Sequence, residues 1–306
     1  MQATGRPLTT RRKSGGARLL AFGAAIFVTA TLPAYAQAQV AWQSVDQGLG
    51  RSGITQPDGV RRYSFPRSDL SVQLDGVNIK PALALGSWLA FEPAGKSTMV
   101  MGDLVLTQDE VNPVMAELLS NGISVTGVHN HLLRSSPLTM YMHVEGHGDA
   151  SKLALALHAA LARSKTPLGS PASAAQGQLD IDASALDRIL AAKGKVNGGV
   201  YQFTIPRREK VTENGMPAPA TMGTGTAINF QPLSRGRAVT TGDFVLTANE
   251  VEPAMHALRA AGIDVTALHN HMLHDEPRLF FMHFWAQGDA LTLARGLRTA
   301  LDQVRR

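Results

Sequence analysis

No cysteine occurs among the 306 residues. Disulfides, thiolate metal ligands and a thiol nucleophile are therefore excluded, and so is lipid attachment through an N-terminal cysteine. Acidic residues are missing from residues 1–38, which carry Arg6, Arg11, Arg12, Lys13 and Arg18. Without these five the chain has 24 basic and 24 acidic residues, so the formal charge of +5 belongs to that one segment. A balanced remainder gives no electrostatic reason to expect nucleic acid or an anionic membrane surface as partner. Long hydrophobic runs are absent too. The longest, "LLAFGAAIFVTATL", is shorter than the ~20 residues a membrane span needs. It follows the basic stretch and leads into "PAYAQAQ", where Ala34-Tyr35-Ala36 has the small-x-small form of a cleavage site. Residues 1–36 thus read as a secretory signal peptide. The expectation is an exported chain, periplasmic or secreted, with no membrane span in its mature part. No Gly-rich phosphate loop and no Gly-x-Ser-x-Gly elbow is found, so no nucleotide cofactor is indicated.

What the chain does contain is a copy of itself. Residues 102–161 align with 242–301 at a constant offset of 140, and 29 of the 60 positions are identical. Upstream, "GVRRYSFPR" matches "GVYQFTIPR", "VQLDGV" matches "VTENGM" and "GSWLAF" matches "GTAINF". The unit is domain-sized: a first repeat domain over 39–165, a linker over 166–178 and a second repeat domain over 179–306. The linker rests on the Gly/Pro/Ser/Ala composition of "LGSPASAAQGQ". Asp75-Gly76 and Asn214-Gly215 sit between short alternating runs and predict hairpins. Thr107-x-x-Glu110 and Thr247-x-x-Glu250 have capping-box spacing. Pro113 and Pro253 predict a kink or a restart in the helices that follow. Asp149 and Asp289 cap a last helix in each copy. The fold class expected is α+β, with two homologous domains, each a mixed, mostly antiparallel sheet with two or three helices.

The chemistry-bearing residues cluster in "VTGVHNHLL" and "VTALHNHML" and in the strands that follow. Side chains alternate faces along a strand, so His129 and His131 share a face, and His143, Glu145 and His147 share one on the next strand. A register that keeps parity brings them together. Two imidazoles at i and i+2 plus a third from a neighbouring strand can surround a metal. The second copy repeats the set as His269, His271 and His283, but Trp285 and Gln287 replace Glu145 and His147. The reading is a divalent-metal site built on His129, His131 and His143, completed by Glu145 or His147, with Glu145 as candidate catalytic base. Without sulfur, zinc is the first choice, with copper, nickel or iron(II) as alternatives. The competing account is structural. Ile123 and Val125 read as lying on the same face, which makes the histidines a continuation of the core. Glu110 and Glu250 are explained by capping, and Asp103 and Asp243 are strand-end residues of unclear role.

The stretches "GDLVLTQDEVNPVM", "GISVTGVHNHLL", "MYMHVEGHGD" and "GDFVLTANEV…ALHNHML…PRLFFMHFWAQGD" resemble the LppY/LpqO family of exported bacterial proteins, over nearly all of the chain beyond the leader and in both copies. That resemblance implies a compartment but no reaction, because the family has no established activity. Its founding members resemble lipoproteins, and this chain lacks the cysteine they use. Three readings stay open: a metal-dependent hydrolase of an envelope component, a protein that binds a metal or small ligand without turnover, and a tandem scaffold with core histidines.

Overall fold

The structure, a computed structural model, describes residues 40–169 and 179–304. The leader 1–36 and most of the linker lie outside the described residues. Each copy is built on a six-stranded sheet. The first runs Ile54–Thr55, Arg61–Pro66, Gly86–Ala94, Ser97–Thr107, Thr139–Gly148, Ser124–His129 in spatial order. The second runs Asp264–His269, Phe280–Asp289, Arg237–Leu246, Thr226–Pro232, Val200–Ile205, Lys195–Asn197. The fold class is α+β, as its pattern predicts. The sheets are not mixed, however: every ladder within them is antiparallel. The helices after Ser97–Thr107 and Arg237–Leu246 link strands that run parallel to each other, but Thr139–Gly148 and Phe280–Asp289 insert between them, so every hydrogen-bonded pair is antiparallel.

Helices cover one face of each sheet. In the first copy Trp42–Leu49, Gln108–Ser120 and Ala150–Leu161 bury Leu49, Val114, Leu118, Leu153 and Leu157 against Leu104, Leu106, Met142 and Val144. The second copy repeats this with Ala183–Leu190, Ala248–Ala260 and Ala290–Leu301 over Phe244, Met282 and Phe284. Both capping boxes form, with Glu110 Oε2 accepting the Thr107 N–H at 2.8 Å and Glu250 Oε2 the Thr247 N–H at 2.7 Å. Pro113 and Pro253 neither break nor restart their helices, which run through them. Each proline removes one backbone bond near the first turn. The packed valine and leucines beyond it hold the rest.

The opposite face of each sheet meets the other copy, and the described residues form one compact unit. Two arms interleave there. Residues 72–85 of the first copy bury Val72, Leu74, Val77, Ile79 and Leu83 against Val200, Val239 and Trp285 of the second. Residues 211–222 of the second bury Val211, Ala218 and Met222 against Val60, Ala90, Met99 and Met101 of the first. The tips of the arms are the two hairpins. Asp75 and Gly76 have φ of 48° and 78°, and Asn214 and Gly215 have 50° and 75°. These left-handed pairs are what Asp-Gly and Asn-Gly tolerate best. The Asp75 tip accepts a hydrogen bond from Trp285 Nε1 at 3.1 Å, while Asn214 Nδ2 donates to Glu145 Oε1 at 3.2 Å. Each tip thus grips the other copy at corresponding positions with different residues.

Candidate metal centre

A β-bulge decides which way the histidines face. In the edge strand Ser124–His129 the register shifts between Val125 and Gly127. Before it, Val125 pairs with Val144 and packs with Ile123 among the helices. After it, Gly127 pairs with His143 and His129 with Tyr141, on the face turned to the other copy. The second copy has the same bulge between Val265 and Ala267. A bulge inserts one residue and flips the parity beyond it. The expectation that Ile123 and Val125 share the histidines' face is therefore wrong. The histidines do not continue the helix-side core; they leave it. Asn130 turns back on its own loop, its Oδ1 accepting the Leu132 N–H at 2.7 Å, which lets His131 fold inward beside His129.

Both sets of histidines meet at the boundary between the copies. The His129 and His269 rings stack at 3.5 Å between centroids. His131 stacks on His283 at 3.6 Å, and His143 meets His271 at 3.8 Å. Two carboxylates complete the cluster. Asp103 pairs across its ladder with His143, and Asp243 with His283. His131 Nε2 lies 3.8 Å from Asp103 Oδ2, and His271 Nε2 lies 3.3 Å from Asp243 Oδ2. Tyr141 and Phe281 close the flanks, stacking on His131 and His271 at 3.5 and 3.4 Å.

Ring nitrogens show what the cluster lacks. His283 Nδ1 lies 2.9 Å from Gly242 O, and His269 Nδ1 lies 3.2 Å from Asn270 O. His143 likewise bonds the backbone of Gly102. A ring that donates Nδ1–H to a carbonyl presents a bare lone pair on Nε2. Among the described residues, the buried Nε2 atoms of His129, His131, His143, His269, His271 and His283 have no hydrogen-bond partner. Neither do His129 Nδ1, Asp103 Oδ1 and Asp243 Oδ1. An orphaned buried polar atom costs about 1–3 kcal/mol. A cluster of this size would thus cost as much as the ~5–15 kcal/mol that holds a whole domain together. Lone pairs facing lone pairs and carboxylate oxygens are satisfied together by a cation.

Electrostatics point the same way. Burial, then the charge of His269, pushes His129 down to about 3, and burial pushes His269 down to about 4. Burial likewise drives His131, His143, His271 and His283 well below the ordinary histidine value. The carboxyls move oppositely. Burial lifts Asp103 to about 7 against the pull of Arg62, and burial with Asp103 nearby lifts Asp243 well above its usual range. The imidazoles are thus neutral and ready to ligate. The two sides are not equivalent, because Arg62, stacked on the Trp88 ring at 4.1 Å, acts on Asp103, and no arginine among the described residues acts on Asp243. Gln202 and Ala227 occupy the matching positions of the second copy.

The sequence reading nominated two sites, and the structure brings their six histidines into one. Glu145 and His147 do not join it. They pair with each other, His147 Nε2 lying 2.6 Å from Glu145 Oε1, and Glu145 turns to Asn214 and Glu213 of the other copy. Glu145 therefore lies against His147 and the second copy's arm, apart from the six histidines. Asp103 and Asp243 join instead. Their signal was available in the repeated Gly-Asp of "MGDLVL" and "TGDFVL", one strand over from each histidine strand. The capping glutamates also do more than cap: Arg67, buried, donates to both oxygens of Glu110 at 2.7 and 3.1 Å, and Arg207 repeats this with Glu250.

The sequence matches the family described as Domain of Unknown Function (DUF1259) over residues 43–163 and again over 184–303. No curated protein matches it. Solved structures that do include PduB, a trimeric bacterial microcompartment shell protein, at 11% identity and a TM-score of 0.21, covering 80% of this chain and 87% of that one. EtuB from Clostridium kluyveri follows at 8% identity and a TM-score of 0.20, with 82% and 90% covered. The double-ringed trimeric shell protein MSM0271 has 12% identity and a TM-score of 0.18, with 68% and 84% covered. Likenesses so remote assign no role to this chain. The family matched is DUF1259, in place of LppY/LpqO. The structures matched include microcompartment shell proteins. The expectation of an exported, periplasmic or secreted chain is withdrawn, and with it the envelope component as substrate. The function expected of that exported protein, a histidine cluster within each copy, is withdrawn as well. No helix among the described residues is long and apolar enough to cross a membrane.

Proposed function

The chain belongs to the DUF1259 family, which brings no reaction with it, and we propose that its two copies jointly build one transition-metal centre at their boundary. The observation that carries this is the set of six imidazoles whose buried Nε2 atoms have no hydrogen-bond partner among the described residues and lie close to one another and to Asp103 and Asp243. The centre belongs to the chain as a whole and not to either copy. Its donors are imidazole nitrogen and carboxylate oxygen, with no sulfur. This composition favours zinc, then copper(II), nickel or iron(II), and disfavours calcium and magnesium, which prefer oxygen alone. Backbone carbonyls beside His143, His269 and His283 orient those rings and raise their basicity as ligands. The test is elemental analysis of the full chain, purified without chelator and without affinity histidines, beside His131→Ala/His271→Ala. Bound metal in the parent that is lost from a folded variant supports the reading. A metal-free parent whose melting temperature does not respond to zinc, copper, nickel or iron(II) returns the histidines to the core.

A further inference from the structure

Eight donor side chains are more than one ion can use. A transition ion takes about four to six ligands. Six imidazoles and two carboxylates around a single ion would leave several of them as unpaired as before. Their arrangement shows how they divide. The donor atoms of His129, His131, His269 and His283 lie within 4.8 Å of one another, and so do those of His143, His269 and His271. These two groups share only His269, which stands stacked on His129 where the copies meet. Their outer members are pairs from opposite copies: His131 with His283, and His143 with His271. The repeat exchanges His131 with His271 and His143 with His283, so it exchanges the two pairs.

The carboxylates lie between the groups. Donor atoms of Asp103, His131 and His143 fall within 4.8 Å of one another, as do those of Asp243, His271 and His283. Each aspartate therefore reaches one histidine of each pair. From this we infer that the centre holds two ions, one between His131 and His283 and one between His143 and His271. Asp103 and Asp243 bridge them, and His129 and His269 supply a third imidazole on either side. Each ion then has three imidazoles and two carboxylates within reach, an ordinary coordination number, and each draws on both copies. The inference rests on the metal-centre reading above and adds the number of ions and their bridging to it.

The experiment is a titration of the metal-stripped full chain with zinc and, separately, with copper(II), each followed by desalting and metal analysis. Two equivalents retained per chain is the expected result. His131→Ala/His283→Ala and His143→Ala/His271→Ala, checked for folding by circular dichroism, should each retain one. In copper(II)-loaded parent the paramagnetic resonance signal should fall well below that of the copper present, because carboxylate-bridged ions couple. One equivalent in the parent, lost from both variants, overturns the two-ion inference and leaves the single shared centre. No retained metal overturns both. Two equivalents with the full resonance of isolated copper(II) overturns the bridging. Should either variant fail to fold, the parent's stoichiometry and resonance decide alone.

Discussion

His129 is the residue at which a ligand and a core histidine predict effects of opposite sign. Both its ring nitrogens are buried without a hydrogen-bond partner among the described residues. It stacks on His269 at 3.5 Å and stands 4.9 Å from His143. Substituting leucine removes two orphaned polar atoms and forfeits no hydrogen bond. At about 1–3 kcal/mol per orphan, and at the low end because the residue is only half-buried, His129→Leu should stabilise the metal-free protein by about 2 kcal/mol. For a chain of this size that raises the melting temperature by about 4–8 °C. Under saturating metal the variant's advantage should shrink to less than half. An ion at about 100 times its dissociation constant stabilises the parent by about 2.7 kcal/mol. A tenfold loss of affinity from a missing ligand cuts that gain to about 1.4 kcal/mol. The assay is calorimetry of both proteins, stripped and at one fixed free zinc concentration. A stripped variant that melts below the stripped parent would refute the reasoning, because the imidazole would then have been satisfied by its surroundings. A variant that keeps the full zinc-induced shift would remove His129 from the ligand set.

Other expectations are simpler. Glu110→Gln should cost about 3 kcal/mol, because it strips half the pairing from buried Arg67, where loss of a cap alone costs about 1 kcal/mol; urea unfolding separates the two. Glu213 is raised to about 7 by burial first and then by the charge of Glu145, against the His274 N–H it accepts. The folded state therefore keeps a proton that the unfolded chain releases near its ordinary value of 4.5. Stability should decline as pH rises from 4.5 to 7, and Glu213→Gln should flatten that interval in melting curves. Trp285→Phe loses the bond from Nε1 to Asp75 and should cost about 1 kcal/mol or less, since Asp75 is partly exposed; a larger cost by urea unfolding would mean the hairpin tip is a stronger clasp than one bond.

Features that repeat within one element were legible in the sequence. The duplication, the capping boxes, the Asp-Gly and Asn-Gly hairpins and the parity of His143, Glu145 and His147 all rest on spacings of a few residues, and the structure shows each of them. Features that join elements were not. The bulge at Val125/Gly127 leaves no composition signature, and it alone separates Ile123 from His129. That the two clusters are one depends on contacts between residues about 140 apart, and nothing periodic says that two like faces turn toward each other. Asp103 and Asp243 are not singled out by sequence, because a carboxylate at a strand position has many explanations until the histidine across its ladder is known. Arg67 and Arg207 were invisible for the same reason: "FPR" and "IPR" look like strand ends, and the buried glutamates they hold had already been explained as caps.

The arms make a last expectation about the copies taken apart. Each arm's apolar side chains are covered by the other copy, Val72 and Leu83 by Val200 and Val239, and Val211 and Met222 by Val60 and Met99. One copy alone would expose that face and half of the histidine cluster, so it should cover both by pairing with itself about a two-fold axis. The two copies are not equally able to. A pair of first copies would set the Asp75 tip against Glu145, two carboxylates where the intact chain has Asp75 on Trp285 and Asn214 on Glu145. A pair of second copies would set Asn214 against Trp285, where no like charges meet. The second copy should therefore form a metal-binding dimer by itself, while the first should do so only once Asp75→Asn removes the clash. Sedimentation with added zinc measures this directly. A first copy that dimerises as tightly as the second, or a second that stays monomeric and folded with zinc present, would show that the hairpin tips do not set the pairing. The differences between the copies would then need another cause.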